Sequence, residues 1–226
     1  METGKSVGRI VGILLLAQIA VAFLAQFVLL AGVKAPPGFL ANAAGSALQV
    51  RVSALLWFVA SALTVAVAIA ALPVFRQYSE RMALLYLALS VLGLSTSASD
   101  NVATLNMLSL SQEYAKAGAA NELFQALGAM ARSALYAAHY INILVGGTTA
   151  FVLVCILFRF VLVPRALAAF ALATFPIQMT AAAMPLLGYR SQVWMLMPAA
   201  LSLLALVLWL IAKGFAERHD LRRDTG

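Results

Sequence analysis

The feature that most constrains this chain is the recurrence of apolar runs long enough to cross a bilayer. About 20 helical residues are needed to traverse roughly 30 Å of hydrocarbon. Six such runs occur, near 10–31, 48–72, 82–111, 135–158, 166–187 and 193–212. Within hydrocarbon every backbone N–H and C=O must be paired internally, which favours helices over open strands. The runs consume most of the 226 residues and leave no room for a separate soluble domain. The chain therefore reads as all-α, a polytopic integral membrane bundle of six transmembrane helices. Residues 1–226 form one domain, with 213–226 a charged, partly disordered cytoplasmic tail.

Composition agrees with this reading. Hydrophobic residues make up 64% and charged residues 10%, whereas a soluble domain carries about 25% charged residues. A net charge of +7 would suggest nucleic acid in a soluble protein, but no basic run is interleaved with aromatics. In a membrane protein the same excess reflects loops facing anionic lipid. The expected partners are thus the lipid bilayer and a small-molecule ligand, with no nucleic acid, and the oligomeric state is left open. Cys155, the single cysteine, excludes an internal disulfide and a cysteine-paired metal site. The opening METGKSVGR has the charge of a signal sequence, but the apolar run behind it is too long, so it reads as an uncleaved first span.

Local signals divide the chain further. Pro36, Pro37 and Gly38 mark a loop after the first span. Pro73 is expected to end the second. The less apolar region 113–132 reads as a loop and then a short amphipathic helix starting near Asn121, a plausible N-cap. Pro176 and Pro185 fall inside the fifth span and predict a kink. Small residues, among them Gly146, Gly147 and Ala150 on the fourth span, are expected to serve close helix packing. Of the fifteen Lys and Arg side chains, ten fall on the side that holds both termini. The positive-inside rule then puts both termini in the cytoplasm.

Against this background the stretch LSTSASDNVATLNM, residues 94–107, is conspicuously polar. Ser97, Asp100, Asn101 and Thr104 follow the i, i+3, i+4, i+7 spacing of one helix face. Arg132, Tyr136, His139 and Asn142 are spaced likewise on the fourth span. Counting 1.5 Å per residue from the cytoplasmic ends, Asp100 and His139 lie about 27–28 Å up, Arg51 about 31 Å and Gln26 about 24 Å. Four spans thus bring an ionisable or amide group to one level near the far boundary. A charge facing lipid there costs several kcal/mol, so these faces should point inward. Asp100 is expected to pair with Arg51 or with His139.

We read Arg51, Ser97, Asp100, Asn101, Thr104, Arg132, Tyr136, His139 and Asn142 as candidate ligand-binding residues on the second to fourth spans. The function implied is binding or transport of a small molecule, with Asp100 as counter-ion or proton carrier. One competing reading is a structural or accessory subunit in which the same groups only fix helix register. Another is an intramembrane hydrolase built from Ser97 or Ser99, His139 and Asp100. Gln18, Gln26 and Gln178 read as interhelical hydrogen-bond partners, and Trp57 as packing or an interfacial belt residue. No HExxH, GxSxG, phosphate-cradling loop or CxxC occurs, so no catalytic residue, cofactor or metal site is assigned. The chain leans away from being an enzyme.

Three stretches resemble a bacterial family of six-helix membrane proteins under the domain-of-unknown-function label number forty-three eighty-six. They are GRIVGILLLAQIAVAFLA in the first span, LVPRALAAFALA entering the fifth and LALVLWLIAKGF closing the sixth. His139 and Tyr140 fall where that family is expected to place a histidine and an aromatic residue. LSTSASDN is more polar than the family's third helix. The resemblance implies a bacterial inner-membrane protein and supplies neither substrate nor catalytic residues.

Overall fold

A computed structural model describes residues 4–117, 122–190 and 192–216. Every long element is helical, and six helices are long and apolar enough to cross a membrane. This is the architecture of a multi-pass membrane protein. The spanning helices are α1 (Gly4–Phe23), α4 (Ala47–Tyr78), α5 (Glu80–Ala117), α6 (Glu122–Arg159), α7 (Arg165–Leu186) and α8 (Met197–Lys213). Two one-turn helices, α2 (Ala31–Lys34) and α3 (Phe39–Asn42), lie between the first two. Each spanning helix packs mainly on its neighbours in chain order, and α8 returns to α1. The six form a closed ring.

Several boundaries differ from those expected. Pro73 lies inside α4, which continues to Tyr78. A proline removes one helical hydrogen bond, and neighbouring helices in a membrane tolerate that loss. The helix ends instead at Ser79, whose extended backbone donates its N–H to Phe75 O at 2.9 Å. The Ser79 hydroxyl then accepts the Met82 N–H at 3.4 Å, an N-cap for α5. Arg76 and Glu80 pair across this one-residue corner. At the opposite end, the separate amphipathic helix expected before the fourth span is part of α6, continuous from Glu122 to Arg159. Its proposed cap, Asn121, lies outside the described residues. Pro176 and Pro185 both lie within α7.

The main core gathers in the half of the ring near the termini. Val7 and Val11 of α1, Phe75 of α4, Tyr86 of α5 and Leu157 of α6 are buried there. Phe215 follows α8 and is 1% exposed. Its ring lies 5.7 Å from that of Phe75, centroid to centroid. The Ala216 N–H donates to Leu162 O at 2.8 Å. The segment after α8 was expected to begin a loose tail, but Gly214 to Ala216 is docked against the α6–α7 link; residues 217–226 lie outside the described residues.

Two glycines make that docking possible. A Cβ on Gly8 would stand 2.1 Å from Phe215 N, and one on Gly214 would stand 2.2 Å from Lys5 O. Gly214 also has a φ of +73°, which side chains other than glycine rarely adopt. The chain's two ends therefore meet backbone to backbone.

The other end of the ring is looser and capped. After α1 the helix widens into a π turn, Leu24–Leu29. Ala25 O then accepts both the Leu30 N–H at 3.3 Å and the Ser53 hydroxyl at 3.2 Å. Residues 31–46 fold over this end. The Asn42 side-chain amide donates to Ala35 O at 2.7 Å, and Ala44 N–H donates to the Ser111 hydroxyl at 2.9 Å. Leu30, Val33, Ala43, Val50 and Leu108 form a small apolar cluster beneath the cap.

Candidate functional site

Polar side chains join α5 to α6 along their antiparallel contact. His139 Nδ1 lies 3.1 Å from Asp100 Oδ2. One turn on, the Thr96 hydroxyl donates to Asn142 Oδ1 at 3.1 Å, and deeper still the Thr149 hydroxyl reaches Leu89 O at 3.3 Å. The three bonds follow one register, in which moving back along α5 moves forward along α6 by nearly as many residues. The Thr104 hydroxyl donates to the Asp100 carbonyl at 3.0 Å. The Asp100 side chain retains 13% of its surface and that of His139 29%, so both are largely withdrawn from the surroundings. With the carboxylate as acceptor, Nδ1 carries the imidazole proton and Nε2 is the ring's remaining acceptor.

This pair stands at the junction of two cavities. The smaller, of about 70 Å³, lies under the cap and is lined by Gln26, Lys34, Asp100, Asn101, Thr104 and Tyr136 among others. Lys34, exposed at its rim, was not among the expected site residues. Burial pushes its ammonium below the ordinary lysine range, and the Asp100 charge acts against that shift. The larger cavity, of about 220 Å³, occupies the centre of the ring. All six spanning helices line it, through Gln18 of α1, Ser61 of α4, Gly93 of α5, Asn142 of α6, Gln178 of α7 and Leu203 of α8. Trp57 and His139 line both cavities.

The expected residues divide accordingly. Asp100, Asn101, Thr104, Tyr136 and His139 come together at the smaller cavity, and His139 and Asn142 face the larger. Ser97 is buried at 1% exposure but lines neither cavity. Arg51 and Arg132 are exposed and stand outside the cluster. Of the two partners expected for Asp100, the structure has His139. Gly146, Gly147 and Ala150 line the central chamber rather than serving packing alone, and Trp57 lies inside the ring rather than in an interfacial belt. Gln18 and Gln178, read as helix-to-helix partners, line the same chamber. Gln18 Oε1 is buried there without a hydrogen-bond partner.

The hydrolase constellation does not assemble as a bonded triad. The Ser99 hydroxyl donates to Ser95 O at 3.3 Å, and the one side-chain bond of His139 runs to Asp100. No group of three or more His, Cys, Asp or Glu occurs among the described residues.

Residues 10–214 match the family described as Domain of unknown function (DUF4386). The chain belongs to that family. The match runs from the first turns of α1 to Gly214, so the DUF4386 unit includes all six spanning helices and both cavities. No curated protein and no solved structure matches the chain.

Proposed function

We propose that this is a multi-pass protein of the bacterial cytoplasmic membrane, with both termini in the cytoplasm, that binds or transports a small molecule. The polar layer of α4, α5 and α6 forms the mouth of its site, and the central chamber holds the ligand. The observation that carries this reading is the meeting of the two cavities at Trp57 and His139. A scaffold needs only closed packing between its helices. Here polar side chains surround a space beside a paired acid and base within an otherwise apolar ring, and intramembrane ionisable groups mark ligand or ion pathways by default. The Asp100–His139 pair leaves no bare charge at the junction, which lowers the cost of passing an uncharged molecule between the cavities.

Accessibility tests the reading. In a Cys155→Ser background, Ser61→Cys places a thiol of nearly the same size on the chamber wall. A small membrane-impermeant thiol reagent should modify it in intact lipid, from one face for a binding site and from both for a transporter. A thiol that is inert in the folded protein and reactive only after denaturation would put the scaffold reading ahead.

A further inference from the structure

We infer that the central chamber selects an uncharged molecule of about nine non-hydrogen atoms that presents a hydrogen-bond donor to Gln18; this rests on the reading above and names the ligand's chemistry. Size comes first. An apolar cavity of about 150 Å³ accommodates benzene, and the chamber's 220 Å³ scales to a molecule about half as large again. Charge comes second. No Asp, Glu, Lys or Arg lines this chamber. His139, the one residue on its wall with a charged partner, already bonds Asp100 at 3.1 Å. A charged ligand would lose its hydration and gain no counter-ion.

Polarity comes third. Asn142 Oδ1 accepts the Thr96 hydroxyl, and the Thr149 hydroxyl is spent on Val145 O and Leu89 O. Gln18 Oε1 is different: it is buried, faces the chamber and has no partner. An acceptor left bare in this setting carries its full desolvation cost, which a donor on the ligand removes. The rest of the wall is apolar, with Leu15, Ile143, Leu153 and Leu203. A compact apolar body with one N–H or O–H fits both features.

Four probes of equal size separate the possibilities: indole, a donor; benzofuran, its acceptor-only isostere; benzoate, an anion; and benzamidinium, a cation. Binding is measured by equilibrium dialysis against the protein in phosphatidylcholine nanodiscs, with empty discs subtracted. Indole should bind at least about tenfold more tightly than benzofuran, and Gln18→Leu should abolish that difference. Gly146→Leu should remove the saturable uptake altogether. Its new Cβ meets no atom within 4 Å, so the side chain fills space without a backbone clash, and an unchanged elution volume will verify the fold. Benzofuran equal to indole, or a charged probe the tightest, overturns the inference. If that binding is still blocked by Gly146→Leu, the chamber remains a ligand site of another class. If no probe binds in a Gly146-sensitive way, the inference falls, and labelling of Ser61→Cys decides the broader reading separately.

Discussion

Asp100 lies on a helix that presents mostly methyl groups and hydroxyls to its neighbours, and it obtains one nitrogen at 3.1 Å in return. A hydrogen bond to a charged group contributes about 1.5–3 kcal/mol, whereas removing one partner leaves the other withdrawn and unpaired. Asp100→Ala and His139→Ala should therefore each destabilise the protein by about 2 kcal/mol, and the double variant by much less than their sum. Unfolding by denaturing detergent would measure this coupling, and additive losses would show that the pair contributes little. The partnership was only half legible in the sequence. Spacing along each span brings Asp100 and His139 to one depth, but depth does not distinguish His139 from Arg51. That choice depends on the rotation of each helix about its axis, which packing sets. Lys34 escaped for a related reason: its place at the rim of the smaller cavity depends on how residues 31–46 fold back, and the loop composition does not encode that path.

At the level of elements, the six spans were readable from length and hydropathy because the bilayer imposes both. Their ends were less so. Pro73 signalled a stop, yet the corner is made one turn later by Ser79, since a missing hydrogen bond inside a packed helix costs less than an uncapped end in the wrong place. The π turn at Leu24–Leu29 has no compositional sign at all. Gly4, Gly8 and Gly12, by contrast, recur every four residues and mark one face for close approach, a signal present in the sequence and unused. Gly8→Val tests that face. With Phe215 N at 2.1 Å from the first added atom, the backbones of α1 and the α8 terminus must separate. We expect a loss of about 3 kcal/mol or more, read by the same detergent titration. A variant of unchanged stability would mean that this contact is dispensable.

For the whole molecule, an even number of crossings returns the chain to the side from which it started. The positive-inside bias selects the cytoplasm as that side. Reporter fusions should behave identically at the two ends: a fluorescent protein active only in the cytoplasm should shine at both, and an alkaline phosphatase active only outside should remain silent at both. Opposite signals from the two ends would require a different number of crossings.

The order of the ring has a further consequence for how the protein is made. Every spanning helix rests mainly on the one synthesised just before it, so each pairing needs only a short stretch of chain to close and can form as soon as its second member enters the bilayer. A single junction breaks that rule. Until α8 has been delivered, α1 waits with one flank unoccupied, and the ring stands open like a letter C. The Gly8–Gly214 meeting is therefore the last joint to be made, and a nascent chain stalled before α8 would hold five helices in place around a chamber still open to lipid.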